Sequence, residues 1–127
     1  MAKMEWQANY TVGDTKMDDQ HKGLIALINQ LGGEDEVDVR DVLETLQEYV
    51  DIHFRDEEAL LAKIDFPDLG KQKAEHGTFE TWLDEQLETY RNGGGSDTLR
   101  ERIQNYLRTW WIKHILFSDK AYAAYLK

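Results

Sequence analysis

Hydrophobic positions recur along most of the chain at the spacing of three to four residues that is typical of amphipathic helices. Glycine clusters at Gly32-Gly33 and Gly93 to Gly95, and the single proline, Pro67, divide this pattern into four segments of helical length. The segments run from about Asp18 to Leu31, from Asp38 to Ile64, from Asp68 to Tyr90, and onward from an N-cap at Ser96 or Asp97. Because the connections are short, neighbouring helices should be antiparallel. The pattern predicts an all-α, up-down-up-down four-helix bundle.

The two ends of the chain depart from this pattern. Residues 1–17 contain Trp6 and Tyr10 but no helical period, which predicts an extended arm packed on the bundle by its aromatic residues. The stripe of the fourth segment passes through His114 and consists of Leu99, Ile103, Tyr106, Leu107, Trp110 and Phe117. Asp119 lies too far round from His114 for a regular helix. We therefore expect a distortion near Ser118, a short helix from about Asp119 to Leu126, and one domain over residues 1–127.

Composition narrows the class of protein. The chain has 127 residues with 25 acidic and 15 basic side chains, for a formal net charge of −10. This charge argues against nucleic acid and anionic membrane surfaces as partners, and it suits a protein whose buried carboxylates are compensated by bound cations. Cysteine is absent, which excludes disulfides and thiolate-ligated metals. No long apolar run is visible near the N-terminus, so we expect no membrane span and cytoplasmic residence.

Polar residues interrupt the apolar stripes at positions that face the predicted core. Each segment carries one histidine there, in chain order His21, His53, His76 and His114. Glu57 lies four residues after His53, and Gln72 lies four residues before His76, so each pair shares one helix face. A single inward histidine is most often a hydrogen-bonded core residue, but the joint pattern favours a shared site between the helices.

The carboxylates in this set point to metal ions. Burying Glu57 and Asp119 costs several kcal/mol each unless a charge compensates them, and no inward Lys or Arg lies near Glu57 on its segment. Imidazole with carboxylate suits iron, manganese or zinc. The H-E-x-x-H motif of zinc proteases and the E-x-x-H motif of ferritin-like di-iron proteins are both missing. A two-metal site, a mononuclear iron held by two histidines and one carboxylate, and a site that binds no metal remain as alternatives.

Spaced motifs over nearly the whole chain resemble the hemerythrin family, specifically its bacterial single-domain members. They are Trp6, Tyr10, Val12-Gly13, Asp19-Gln20-His21-Lys22, Leu27 to Leu31, His53-Phe54, Glu57-Glu58, Phe66-Pro67, Lys73 to His76, Trp110, His114-Ile115 and Asp119. The resemblance implies a non-haem di-iron centre with an oxo or hydroxo bridge that binds O2.

The resemblance also implies a role for each candidate site residue. One iron would take His21 and His53, and the other would take position 72, His76 and His114. Glu57 and Asp119 would bridge the two irons, and O2 would bind at the iron with two histidines. The walls of the O2 pocket would be Phe54, Trp111 and Ile115.

Two residues depart from the family pattern. The H-x-x-x-H motif of the family reads Gln72 to His76 here, and an amide oxygen is a harder and weaker donor than imidazole. Gln72 coordinates iron, holds a water or turns away. Trp111 stands where the family generally carries leucine, so it narrows the O2 pocket or packs in a seam between helices.

We expect an O2-binding protein for storage, delivery or sensing, with NO, azide or peroxide as alternative ligands. We also expect the protein to be a monomer. The alternative is a di-iron oxidase or peroxidase that uses the more open second iron, since catalysis benefits from two open metal positions. The sequence leaves undetermined whether the protein is an enzyme.

Overall fold

The computed structural model describes residues 4–32, 38–93 and 96–126. Four long helices lie in these ranges: α1 (Thr15–Gly32), α2 (Val39–Lys63), α3 (Leu69–Arg91) and α4 (Asp97–Lys113). A π-helical segment (His114–Asp119) continues α4, and α5 (Lys120–Ala123) follows it. Helix α2 packs against both α1 and α3, while α1 also packs against α4. The predicted four-helix bundle is therefore confirmed.

The apolar stripes of the four helices meet in one core. Its fully buried members include Leu24, Ile28, Leu43, Leu46, Leu83, Leu87 and Leu107. Burying a leucine side chain stabilises a fold by about 1.5–3 kcal/mol, so this shared face is enough to hold helices that carry polar residues further along. A smaller apolar cluster lies where the start of α1, the end of α2 and α5 meet, and it contains Val12, Met17, Leu61, Phe66 and Tyr122. None of the helices in the described ranges is long and apolar enough to cross a membrane.

Helices α1 and α2 approach closely at one glycine. A Cβ atom at Gly23 would overlap the hydroxyl of Tyr49, so only glycine fits there without a shift. The Tyr49 hydroxyl donates a hydrogen bond to the main-chain oxygen of Gln20 at 3.0 Å. This contact fixes the part of α1 that carries Gln20 and His21 against α2.

The first helix begins earlier than predicted. It starts at Thr15 rather than Asp18, because the Asp14 carboxylate caps it by accepting a hydrogen bond from the Met17 main-chain N–H at 2.9 Å. The arm before it contains one short 3-10 turn, Ala8–Tyr10. Its start is held by paired hydrogen bonds between the Met4 main chain and the Asn29 side chain, at 2.7 and 2.8 Å. The N-cap expected for the fourth helix is Ser96, which accepts from Leu99 N–H at 3.1 Å.

The distortion predicted near Ser118 begins earlier, at His114. In a π-helix the hydrogen bonds span five residues rather than four, so side chains five apart share one face. His114 and Asp119 thereby both point inward, at 3% and 0% exposure. The same change of register turns Phe117 outward, where it is 76% exposed. The prediction that Phe117 lies on the buried stripe is wrong, because that stripe assumed a regular helix up to this residue. The final helix, α5, is also shorter than predicted.

Candidate metal centre

The seven polar residues singled out in the sequence meet inside the bundle. Their exposures are at most 3%, and the residues are His21 from α1, His53 and Glu57 from α2, Gln72 and His76 from α3, and His114 and Asp119 from the π-helical segment. The structure therefore brings together every residue of the candidate ligand set. Two groups of three have ligand atoms within 4.8 Å of one another, and Glu57 belongs to both.

Glu57 lies between two pairs of histidines, with one carboxylate oxygen toward each pair. Its Oε2 is 3.7 Å from Nε2 of both His21 and His53. Its Oε1 is 3.0 Å from Nε2 of His76 and 3.6 Å from Nε2 of His114. A carboxylate placed in this way can bridge two cations, with one oxygen bound to each cation.

Asp119 divides its oxygens in the same manner. Its Oδ2 is 3.1 Å from His21 Nε2, and its Oδ1 is 3.1 Å from His114 Nε2. The same Oδ1 accepts a hydrogen bond from the Gln72 amide nitrogen at 3.0 Å. The interior thus consists of two halves: His21 with His53, and Gln72 with His76 and His114, which share the two carboxylates.

Protons occupy this interior when no metal is present. Burial alone would raise the pKa of Glu57, but hydrogen bonds with His114, His21 and His76 hold that pKa well below its usual range. Burial also opposes a charge on His21, yet the nearby Asp119 and Glu57 raise its pKa to about 9. The pKa of His114 is likewise well above its usual range against the effect of burial, chiefly through the charge of Asp119. Burial lowers the pKa of His53 to about 4. Two carboxylates are therefore balanced by two imidazolium ions.

The unpartnered atoms of this cluster fit a metal centre. Among the described residues, six of its buried atoms make no well-aligned hydrogen bond, although three of them lie 3.1 Å from an opposite charge: Nδ1 and Nε2 of His21, Nε2 of His53 and His114, Oε1 of Gln72 and Oδ2 of Asp119. An unsatisfied buried polar atom costs about 1–3 kcal/mol, and native structures hold few of them. Five of the six, all except His21 Nδ1, are nitrogen or oxygen atoms through which such side chains bind iron, manganese or zinc. The donor set fits two metal ions.

Outer contacts orient three of the four imidazoles. His76 Nδ1 lies 2.8 Å from a Glu58 carboxylate oxygen, His114 Nδ1 lies 2.8 Å from Glu75, and His53 Nδ1 lies 2.6 Å from the Gln20 amide oxygen. Because these oxygens only accept, each Nδ1 must donate, and Nε2 is the ring nitrogen that faces the interior. A metal would displace the proton that His114 carries on Nε2 in the metal-free protein. The bond from His114 holds the pKa of Glu75 at about 2, against its burial.

These outer residues were not identified from the sequence, although Glu58 follows inward Glu57 and Glu75 precedes inward His76 along the chain. Tyr122 on α5 was missed as well. Its buried hydroxyl donates to Glu57 Oε2 at 3.0 Å. Burial, followed by the charge of Glu57, raises the pKa of Tyr122, so the phenol stays protonated and can only donate to the carboxylate.

An aromatic wall closes the interior on the core side. Phe54, Trp111 and Ile115 are at most 1% exposed. The Trp111 ring stacks on Phe54 at 5.7 Å between centroids and lies 5.9 Å from the rings of both His53 and His114. Trp111 is therefore beside both halves of the site, and it also packs on Phe79 and Trp110, so that both expected arrangements are compatible with its contacts.

Comparison with known proteins agrees with this geometry. The family described as the hemerythrin HHE cation binding domain matches residues 12–126. The chain belongs to the hemerythrin family. Membership implies a di-iron centre that binds O2, and the buried histidine and carboxylate groups are able to hold such a centre.

Individual relatives extend over almost the whole chain. A hemerythrin-like protein of Naegleria gruberi is 30% identical over 121 residues, which cover 95% of this chain and 92% of the relative. A bacteriohemerythrin of Clostridium acetobutylicum is 29% identical over 125 residues, covering 92% of this chain and 96% of the relative. The crystal structure of a wild-type hemerythrin superimposes with a TM-score of 0.85 at 26% identity and 98% coverage of both chains. The similarity therefore includes the segments that carry the site.

Proposed function

We propose that this hemerythrin binds O2 reversibly at two iron ions, for storage, delivery or sensing. His21 and His53 would hold one iron, while Gln72, His76 and His114 would hold the other. Glu57 and Asp119 would bridge them, with an oxo or hydroxo group as a third bridge. The observation that carries this assignment is the division of both buried carboxylates between the two halves of the site. When bound, the iron pair supplies the redox-active, O2-binding chemistry.

The chain contributes orientation and exclusion of water. Glu58, Glu75 and Gln20 keep the proton of each imidazole on Nδ1, so that Nε2 is available as a ligand at no cost in reorientation. Tyr122 donates to Glu57 Oε2 and withdraws electron density from the oxygen on the His21 side. Phe54, Trp111 and Ile115 keep bulk water away, and Trp111 leaves less room than the leucine expected in this family.

Gln72 would have two roles in the site. Its amide nitrogen donates a hydrogen bond to Asp119 Oδ1 at 3.0 Å. Its amide oxygen has no hydrogen-bond partner among the described residues and is available to bind a metal. A neutral imidazole that coordinates through one nitrogen could not also donate to Asp119 through the same edge of the ring. We infer that Gln72 holds the second carboxylate bridge in place and offers a weak oxygen ligand to the iron of His76 and His114. Small ligands such as NO, azide or peroxide are expected to compete with O2, and a monomer in the cytoplasm stays our prediction.

The test is an O2 titration of iron-loaded protein. The protein is reconstituted with iron, reduced under anaerobic conditions and exposed to O2 while the visible spectrum is recorded. A stable new absorption band that disappears when O2 is removed is the expected result. If no O2-dependent band appears in protein that contains two irons per chain, O2 binding is not its function.

A di-iron oxidase or peroxidase is the second candidate, and one observation favours it. The half with Gln72 has only two imidazoles and adjoins a surface cleft, so that its metal would be open to further ligands. In the same titration, rapid conversion of the reduced protein to its ferric form without a stable intermediate spectrum would support this candidate over O2 carriage.

A further inference from the structure

The cleft beside Gln72 lies between α3 and the π-helical segment. Its inner part is a cavity of about 20 Å³ lined by eight residues: Phe66, Asp68, Lys71, Gln72, Glu75, Phe117, Ser118 and Ala121. An outer part of about 330 Å³ shares Lys71, Glu75, Phe117 and Ser118, and has His114 and Trp110 on its wall. Two candidate ligands of one half of the site, Gln72 and His114, therefore line a space that opens to solvent.

The exposures of the site residues single out the same side. Gln72 and His114 are 2% and 3% exposed, whereas His21, His53, Glu57 and Asp119 are completely buried. The volume of the inner cavity is enough for one water molecule, which requires about 10–15 Å³ and two to four polar partners. Three polar residues that line it, Gln72, Glu75 and Ser118, can provide those partners.

The π-helical segment creates the mouth of this cleft. It turns Phe117 to the surface at 76% exposure while His114 stays inside, so the ring lies over the rim instead of filling the interior. The Glu75 carboxylate is held by Ser118 at 2.6 Å and by His114 at 2.8 Å. The charges that line the two parts are Lys71 and Lys113 against Asp68 and Glu75, so the cleft has no net preference for an anion.

We propose that this cleft is an access route by which small uncharged hydroxylic molecules, water and hydrogen peroxide, reach the metal held by Gln72, His76 and His114. The proposal rests on the proposed di-iron centre and specifies the path by which small ligands reach one of its metals. Phe54, Trp111 and Ile115 do not line this cleft and are at most 1% exposed. Gln72 is the specificity-determining residue of the route because it replaces a strong ligand by a weak one at the inner end.

Three variants and one control test the route. Ala121→Leu fills the inner cavity from an exposed position on α5, and Phe117→Ala opens the mouth. Gln72→His closes the metal end with a stronger ligand. The control is Ala124→Leu, which adds the same side chain at an exposed position near the end of α5 that does not line the cleft.

Two measurements report how readily water and hydrogen peroxide reach the metal. The first is the water-proton relaxation rate of protein loaded with Mn²⁺, which rises when water exchanges rapidly at the metal. The second is the rate at which hydrogen peroxide oxidises the reduced iron protein. Because the inner cavity holds little more than one water, Ala121→Leu should lower both about fivefold or more. Gln72→His should lower both, Phe117→Ala should raise both, and Ala124→Leu should leave both unchanged.

Metal content distinguishes the possible failures. If the wild type binds two metal ions per chain, and both Ala121→Leu and Phe117→Ala match it in relaxation and in peroxide rate, the access route is wrong while the di-iron centre stands. If the wild type does not bind two metal ions, the di-iron centre and the route that rests on it both fail.

Discussion

The two halves of the candidate metal centre are built differently. The half with His21 and His53 is completely buried, and the outer contact of His53 within the described part of the chain is a neutral amide, that of Gln20. The half with Gln72, His76 and His114 is backed by two carboxylates, Glu58 and Glu75, and adjoins a surface cleft. Outer carboxylates make imidazole a stronger donor. The half that lacks a third histidine is thus the half whose remaining histidines are strengthened.

This difference indicates that the strength of metal binding in each half depends both on the ligands and on the outer residues that contact them. If Gln72 is a ligand, as we propose, its amide is a weaker donor than imidazole and leaves the total charge of the site unchanged. Glu58 and Glu75 add negative charge directly behind His76 and His114, which stabilises a cation on that side.

The largest effect should come from the carboxylate that belongs to both halves. Glu57→Gln keeps the shape of the side chain but removes a shared anionic ligand, so both halves should lose affinity for metal by more than about a hundredfold. The matched control is Glu48→Gln on the outer side of the same helix, which should bind metal normally. Elemental analysis after dialysis measures the effect. Equal metal content in the two variants would mean that Glu57 is not a ligand.

The next effect should separate the halves through their outer contacts. Glu75→Gln removes the carboxylate behind His114, and loss of such a contact typically costs about 10–100-fold in metal affinity. Gln20→Leu removes the amide behind His53 and should weaken the other half by less, because a neutral acceptor polarises imidazole less than a carboxylate does. Competition with a chelator gives the two affinities. The comparison fails if Gln20→Leu weakens binding more than Glu75→Gln.

Gln72→His is expected to sharpen the comparison by making the halves more alike. The new imidazole would be a stronger ligand on the same helix face as His76, but it would remove the amide donor to Asp119. We expect slower autoxidation of the O2-loaded protein, because the iron on that side becomes less accessible to water. The measurement is the lifetime of the O2-dependent absorption band at fixed pH and temperature. An equal or shorter lifetime in the histidine variant would show that Gln72 does not control this reaction.

The smallest effect should be a pH dependence that reverses when metal binds. In metal-free protein the pKa of His21 is raised from 6.5 to about 9, so the stability it adds is fully present below pH 6.5 and is lost as pH rises through 9. Metal displaces the protons on the imidazoles, so stabilisation by metal grows as pH rises over the same window. Thermal unfolding of both forms at several pH values tests this. A shift in the same direction for both forms would contradict it.

The sequence predicted the helices and six of the candidate ligands because they follow the helical period, whereas Asp119 was included through the family resemblance. Residues four apart, such as His53 and Glu57, share a face in any regular helix, so their meeting could be inferred without coordinates. Phe117 was misplaced because the π-helical turn is set by tertiary contacts of His114 and Asp119 rather than by a local signal. The start of α1 was missed because Asp14 was not recognised as a cap.

The outer contacts could not be predicted for a different physical reason. Glu58 and Glu75 are partly exposed acidic residues, and most residues of this kind in an acidic chain have no partner. Which of them meets an imidazole depends on the rotation of one helix against another, as when Glu75 on α3 reaches His114 across the bundle. Tyr122 similarly meets Glu57 only after α5 packs back over the site.

The central claim is that one buried carboxylate pair holds two metal ions in two unlike halves. Its most direct test is the number of iron ions bound per folded chain after reconstitution and removal of loosely held metal. Two irons per chain, with a large loss of thermal stability when they are removed, is the predicted result, because removal of the metal would leave a buried cluster of carboxylates and imidazoles whose hydrogen bonds are poorly aligned. One iron per chain, or none, would contradict the account.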